Sequence, residues 1–146
     1  AGLFKLAASG YFDHADSPLC VLDTGPLAGL RHRTVIDEAT GARQLALWQE
    51  EHLPGFRVPL HSHDCEEIIT VLDGGIEARV DDGVWDLPPG TSILIPSGAL
   101  HSFRVTGDRP VRLLAIFGSP RPGIFRADGA PSSPPWQGGA SDHLGG

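Results

Sequence analysis

Between residues 41 and 118, short runs of alternating or β-branched residues are separated by turn-forming residues at fairly even intervals. Alternation of apolar and polar positions with a period of two is typical of strands that bury one face. No run in this region has a sustained helical period. Many short strands joined by tight turns predict a β-sandwich or barrel. The predicted strands cover residues 44–51, 57–61, 67–72, 76–80, 84–87, 92–95, 99–105 and 110–117.

The segments on either side of this region have a different pattern. Residues 1–40 predict an irregular N-terminal arm in which residues 31–36 form at most one added strand. After Gly118 the chain is rich in Pro, Gly and Ser, a composition that buries little surface and predicts an arm or tail over residues 119–146. Trp136 is large enough to dock on its own domain or on a neighbouring subunit, and a solvent-exposed indole is the alternative. The predicted units are therefore an arm (1–40), one all-β barrel domain (41–118) and a Pro/Gly-rich tail (119–146).

Composition limits the classes of partner. The 146 residues carry a formal net charge of −7, and the basic residues are scattered, so there is no patch suited to a nucleic acid backbone. The apolar runs are far shorter than the roughly 20 residues of a membrane span, and the N-terminal apolar stretch is too short for a signal peptide. We therefore expect a soluble, cytoplasmic protein. Abundant Gly, Ala and Pro, with arginine in preference to lysine, favours a bacterial gene.

Three histidines and one glutamate occur at a spacing that suits a metal ion. Residues 55–74 read G-x5-H-x-H-x3-E-x6-G, in which the polar positions are His61, His63 and Glu67. Residues 90–101 read G-x5-P-x-G-x2-H and end on a third histidine. On a strand, alternate residues share a face, so the first two imidazoles project in one direction about 7 Å apart. Neutral imidazoles with one carboxylate suit Fe, Mn, Ni, Co, Cu or Zn.

These two segments resemble the two signature motifs of the cupin superfamily, closely over residues 55–101 and loosely over 44–117. The resemblance implies a double-stranded β-helix, or jelly-roll barrel, with a ligand cavity at one mouth. It also implies one divalent transition metal per chain. The chain departs from the family at Val105, where cupins commonly have asparagine. The implied metal ligands are His61, His63, Glu67 and His101, and the motif glycines predicted at turns are Gly55, Gly74, Gly90 and Gly98.

Other polar and aromatic residues have several interpretations. Cys65 shares strand parity with the first two histidines, so it faces the metal, acts as a redox-sensitive thiol, or is a small buried residue in a turn, which we favour. Cys20 and Cys65 are too few for a disulfide framework, and we expect free thiols. Glu66 is the rival of Glu67, but the motif spacing selects Glu67. The substrate-pocket candidates are Trp48, Arg57, Trp85, Phe103 and Val105. The histidines predicted to lie at the surface are His14, His32, His52 and His143.

The resemblance implies a metal-dependent enzyme. The leading interpretation is a dioxygenase-type oxidoreductase that acts on a small organic substrate bound to the metal through two oxygens, with Glu67 as the catalytic proton acceptor. One alternative is a redox-neutral isomerase, cyclase, lyase or decarboxylase that uses the same metal. The other is a non-catalytic module that binds a small molecule. Because cupin barrels of this size usually pair through the N-terminal segment, we also expect a homodimer.

Overall fold

Two antiparallel sheets pack face to face, and their strands are the alternating segments of the sequence. The structure is a computed structural model that describes residues 9–137. Short 3₁₀ helices cover His14–Asp16, Glu38–Thr40 and Pro135–Gln137. The strands are β1 (Leu19–Leu22), β2 (Leu30–Ile36), β3 (Ala46–His52), β4 (Arg57–His63), β5 (Glu67–Asp73), β6 (Ile76–Val80), β7 (Gly83–Leu87), β8 (Ser92–Ile95), β9 (His101–Val105), β10 (Val111–Phe117), β11 (Ile124–Arg126) and β12 (Pro131–Ser132).

The strand order is that of a jelly roll. One sheet has the order β1-β2-β3-β10-β5-β8 and the other β12-β11-β4-β9-β6-β7. From β3 to β10 the chain passes repeatedly from one sheet to the other, so that residues close in sequence face each other across the interior. The barrel predicted from the sequence is confirmed, and the ends of the predicted barrel strands differ from the observed ones by at most two residues.

The core lies between the two sheets and follows the predicted alternation. In β10 the side chains of Val111, Leu113, Ala115 and Phe117 are buried, and the residues between them are more exposed. In β6 the same alternation buries Ile76, Ala78 and Val80 against them. Full burial of a large apolar side chain stabilises the fold by roughly 1.5–3 kcal/mol, so the inward faces of these strands hold the sheets together.

Both flanking segments contain more β-structure than the sequence predicts. The segment before residue 41 holds two strands rather than at most one, because β1 pairs with β2 and β2 pairs with β3. The signal for β1 is weak because that strand has four residues, none of them buried. In the C-terminal segment, β11 pairs with β4 and forms a hairpin with β12. Pro131 is compatible with this ladder because β12 is an edge strand.

Trp136 docks on its own domain, which was one of the alternatives for this residue. Its ring stacks on His32 with a centroid separation of 3.5 Å and an interplanar angle of 10°. It also meets the ring of Trp48 edge-on at 5.1 Å. The C-terminal segment therefore folds back over the barrel at least as far as Gln137.

The cysteines are as expected, since Cys20 and Cys65 are both free thiols. Over residues 9–137, the chain forms no helix with the length and apolar character needed to cross a bilayer.

The motif glycines occupy turns with positive φ, as predicted, at 85° for Gly55, 74° for Gly74, 82° for Gly90 and 80° for Gly98. Gly74 has a further constraint. A Cβ atom added there would overlap the carbonyl oxygen of Pro110, whereas one added at Gly90 would meet nothing within 4 Å. The turn after β5 therefore requires glycine both for its backbone conformation and for its close approach to the chain at Pro110.

We expect Gly74→Ala to destabilise the protein more than Gly90→Ala. Gly90→Ala is the control, and it should lower the free energy of unfolding by roughly 1–2 kcal/mol because an alanine with positive φ is strained. At Gly74 the clash with Pro110 should cost about 1–3 kcal/mol more. Urea denaturation of the two variants measures the difference. Equal free energies of unfolding would contradict the close approach to Pro110.

Candidate metal centre

The four predicted ligands meet between the sheets, near one end of the barrel. His61 and His63 lie at the end of β4, and His101 begins β9, directly opposite His61 in the ladder. Glu67 begins β5 in the other sheet, after the turn that follows His63. All four side chains are buried, with exposures of 0 to 5%. The spacing of the first motif therefore places two histidines on one wall and the glutamate on the facing wall.

Each of the three imidazoles is oriented by a backbone carbonyl. His61 Nδ1 lies 2.7 Å from the oxygen of Pro59, and His101 Nδ1 lies 2.9 Å from that of Ala99. His63 Nδ1 lies 2.9 Å from the oxygen of Gly123, which precedes β11. A carbonyl oxygen only accepts hydrogen bonds, so each Nδ1 carries the proton and donates. In the neutral ring, the Nε2 atom is then an unprotonated acceptor, as a metal ligand requires.

The unprotonated nitrogens converge on one another and on the carboxylate. One ligating nitrogen from each histidine lies within 4.8 Å of those of the other two. Glu67 Oε1 lies 3.3 Å from His63 Nε2 and 3.2 Å from His101 Nε2. Both Glu67 Oε1 and His101 Nε2 are buried without a hydrogen-bond partner. Acceptors that face one another in a buried site repel unless a proton or a cation lies between them.

These distances fit a bound metal. Ligand atoms roughly 2.0–2.2 Å from a metal and at right angles to one another lie about 3 Å apart, close to the observed separations of Glu67 Oε1 from two Nε2 atoms. The donor set of three imidazoles and one carboxylate suits a divalent transition metal. The residues that could hold it are the clustered histidines His61, His63 and His101, with Glu67 Oε1 beside two of them.

The electrostatics of the site favour the metal-binding states of His61 and Glu67 but the protonated state of His63. Burial, with the neighbouring imidazoles, lowers the pKa of His61 from 6.5 to about 3. Burial alone would raise the pKa of Glu67, but His101 and His63 outweigh it and lower that pKa to about 2. Burial alone would lower the pKa of His63, but Glu67 outweighs it and raises that pKa above 6.5. At neutral pH, Glu67 is thus an anion and His61 is neutral.

A cavity adjoins the centre, and its wall is mostly apolar and aromatic. Trp48 and Phe103, both predicted pocket residues, belong to this wall. The metal-site residues His61, His63 and Glu67 line the same cavity. The other lining residues are Leu27, Leu30, Glu50, His52, Phe56, Val58, Ile69, Leu113, Ala115, Ile124, Pro134, Pro135 and Trp136.

Three predicted pocket residues lie elsewhere. Arg57 is exposed because the β4–β9 ladder is irregular between Val58 and His61, and the extra β4 residue reverses the face on which Arg57 lies. Trp85 is 49% exposed on the edge strand β7, where its ring covers Gly83. Val105 is buried in the core but lies four residues beyond His101, about 13 Å along β9, and does not line the cavity.

The alternative candidates can also be placed. Cys65 is half-buried in the turn before β5, and burial with the nearby Asp64 and Glu67 raises the pKa of its thiol to about 11. A thiol in that state is a poor nucleophile at neutral pH, and Cys65 is outside the cluster of ligating nitrogens. Glu66 is exposed, in agreement with the choice of Glu67.

The sequence interpretation missed a second group of polar residues beside the cavity. His32 and His52, predicted to lie at the surface, are each only 1% exposed. Both lie within hydrogen-bonding distance of Glu50. The alternation of β3 could have predicted the burial of His52, since Trp48, Glu50 and His52 share one face of that strand. His14 is half-buried and contacts Gln49, and His143 lies outside the described residues.

Comparisons with known proteins agree with this architecture. Residues 48–117 match the family described as Cupin domain. Auxin-binding protein 1 of Arabidopsis thaliana is 28% identical over 107 residues, which are 66% of this chain and 54% of that protein. Protein SchB of Streptomyces halstedii is 38% identical over 78 residues, 51% of this chain and 56% of that protein. The chain thus spans a little over half the length of these curated relatives.

The fold is also found in solved structures. The polyketide cyclase RemF from Streptomyces resistomycificus superposes with a TM-score of 0.70 at 23% identity, over 92% of this chain and 89% of that one. At this identity the likeness concerns the fold. The match of residues 48–117, together with both motifs and the jelly-roll topology, makes this chain a member of the cupin superfamily.

Proposed function

We propose that this chain is a metal-dependent enzyme that binds one divalent transition metal and acts on a small organic substrate bound beside it. The observation that carries this proposal is the buried contact of Glu67 Oε1 with two histidine nitrogens, in which neither Glu67 Oε1 nor His101 Nε2 has a hydrogen-bond partner. A divalent cation removes this repulsion. The proposed metals are Fe, Mn, Ni, Co, Cu and Zn.

When bound, the metal supplies a Lewis acid for the oxygen atoms of a substrate. The chain's own groups have separate tasks. The three imidazoles are held in place by backbone carbonyls, so the geometry of the centre is fixed before a substrate enters. Glu67 is ionised and buried at this centre, so its carboxylate is available to accept a proton from a substrate bound there. The apolar wall of the cavity excludes water from the reacting groups.

An oxygenase reaction on a substrate that chelates through two oxygens is the first candidate, as the sequence motifs imply. A specific observation favours a second candidate, a redox-neutral cyclisation or related metal-assisted step. The structural match that spans 92% of this chain is to a protein described as a polyketide cyclase. A non-catalytic role has support from the name of the auxin-binding relative. The cytoplasmic location and the homodimer stay predictions from the sequence.

We expect His61→Ala and His101→Ala to lower metal affinity by more than about 100-fold, because each removes a ligand rather than a group that orients one. Elemental analysis of the purified variants after dialysis against zinc measures the loss. His14→Ala is the matched control, since His14 contacts Gln49 and lies outside the cavity. Unchanged metal content in both ligand variants would refute the site.

Metal affinity is expected to fall as the pH is lowered below 6.5. The pKa of His63 is raised above 6.5, so in more acidic solution its ring is protonated and the metal must displace that proton. One displaced proton lowers affinity about tenfold for each pH unit. Titrations with zinc between pH 6.5 and about pH 5.5 measure the slope. A constant affinity over this interval would contradict either the raised pKa of His63 or its role as a ligand.

Dependence of turnover on oxygen separates the two reaction classes. For an oxygenase, turnover of a small hydroxy-keto substrate by the iron-loaded protein stops under argon, because oxygen is a reactant. Product formation and oxygen uptake, measured together, should then be equal in amount. For a redox-neutral reaction the rate under argon is unchanged, and this result would reject the oxygenase. His101→Ala should remove either activity.

A further inference from the structure

The cavity beside the proposed metal centre reaches the surface at the C-terminal segment. Most of the residues that line it are buried between the sheets, and those that are only partly buried are Glu50, Val58, Pro135 and Trp136. Two of these four belong to the last 3₁₀ helix, and the preceding residue, Pro134, lines the cavity as well. Residues 134–136, here called the cover, therefore close part of the opening.

The ring of Trp136 is held in place by two aromatic neighbours. It stacks on His32 at a centroid separation of 3.5 Å and meets Trp48 edge-on at 5.1 Å. Both nitrogens of His32 are engaged, since Nδ1 lies 2.7 Å from Glu50 Oε2 and Nε2 lies 2.7 Å from the hydroxyl oxygen of Thr34. These contacts fix the plane of the imidazole. Its face is thus a rigid platform on which the indole of the cover rests.

The cover is attached less firmly than the strands that form the inner walls of the cavity. The ladder of the C-terminal segment ends at Ser132, in the edge strand β12. After that the described chain forms one short turn, in which the amide of Gln137 donates to the carbonyl of Pro134. Segments outside the ladders open at a lower free energy than core strands do. The cover can therefore move while both sheets stay intact.

The volume of the cavity is too small for an organic substrate while the cover is in place. The cavity encloses about 60 Å³, whereas a protein cavity that holds benzene has about 150 Å³. The inner walls are packed side chains between two sheets, and such interiors yield little space. The additional volume must then come from the mouth. A substrate that binds beside the metal ligands therefore displaces the cover.

We propose that the cover is a gate, and that Trp136 keeps the cavity closed until a ligand displaces it. In the empty protein the indole rests on His32 and Trp48 and shields the cavity from solvent. A ligand must offset the loss of both ring contacts, so the gate selects compounds that bind the metal and the apolar wall strongly. The ligand class is a compact, planar and largely apolar compound with a chelating pair of oxygens. This class rests on the proposed function, because chelation needs the metal.

The first test is the affinity of the zinc-loaded protein for tropolone, a planar ring with two adjacent oxygens, measured by calorimetric titration. Trp136→Ala should bind this probe more tightly than the wild-type protein, although it removes an aromatic lining residue. A ligand that binds only the open form loses affinity in proportion to the closed fraction, and the substitution removes that loss. Two aromatic contacts imply a gain of about 5- to 150-fold.

Two further variants accompany this titration. Trp136→Phe keeps a smaller ring on the cover and should gain less affinity than Trp136→Ala. Trp85→Ala is the matched control, because it removes a half-exposed indole outside the cavity and should leave the dissociation constant unchanged. Zinc content, measured after each titration, confirms that the probe binds the metal-loaded protein.

The second test needs no metal. The chain has three tryptophans, so Trp85→Phe combined with Trp136→Phe or with Trp136→Ala leaves Trp48 as the only indole. Trp48 lines the cavity and is 7% exposed. Acrylamide should quench its fluorescence at least about fivefold more efficiently in the alanine variant, because the quencher enters through the open mouth. Urea denaturation of both double variants confirms that they are folded.

The outcomes distinguish the gate from the proposed function. Equal or weaker binding of tropolone by zinc-loaded Trp136→Ala would overturn the gate, since a fixed wall residue only contributes contacts to a ligand. Equal quenching in the two double variants would overturn it too, as would a gain of affinity in Trp85→Ala of the same size. If the protein retains no zinc, the proposed function fails, and the quenching of Trp48 decides the gate by itself.

Discussion

Orientation of three imidazole rings by backbone carbonyls is the constraint on which the rest of the proposed metal centre depends. A side chain that binds a metal must present an unprotonated nitrogen in a fixed direction, and hydrogen bonds from Nδ1 settle both the tautomer and the ring angle. The three carbonyls come from separate parts of the chain, namely Pro59 within β4, Ala99 in the turn before β9, and Gly123 before β11. Strand pairing and turn geometry therefore determine where the nitrogens meet.

The two sheets contribute different side chains to the proposed metal centre. The histidines lie on β4 and β9 of one sheet, whereas Glu67 lies on β5 of the other. A buried carboxylate is costly unless it is paired, so an ion that binds both walls also links the sheets. Glu50 is a second case of the same principle, because His32 and His52 lie within hydrogen-bonding distance of this carboxylate and compensate its charge.

The sequence could predict those features that depend on neighbours along the chain. Strand alternation, turn glycines and the spacing of His61, His63 and Glu67 are local patterns, and the structure brings these residues together with His101. Features that depend on how strands pair could not be predicted from the sequence. In a regular strand Arg57 and His61, four positions apart, would lie on the same face. The extra residue in β4 reverses this, so Arg57 points away from the cavity.

Long-range partners were missed for the same reason. A histidine whose partners are distant in sequence looks like an ordinary surface residue, and His32 was interpreted in this way. Its carboxylate partner lies 18 positions along the chain, and the ring that stacks on it belongs to Trp136 in a segment whose composition predicts little burial. Composition describes how much surface a segment can bury, but it does not show which surface a single large ring will cover.

The contact between the C-terminal segment and His63 has a consequence for where the functional unit ends. All four proposed ligands lie within residues 48–117, yet the carbonyl that orients His63 belongs to Gly123, and Asp64 in turn accepts a hydrogen bond from the Gly123 amide at 2.8 Å. A fragment cut after Phe117 would keep every proposed ligand and lose the carbonyl that orients His63. In this protein the stretch of chain that supports the proposed coordination environment is therefore longer than the segment that matches the Cupin domain family.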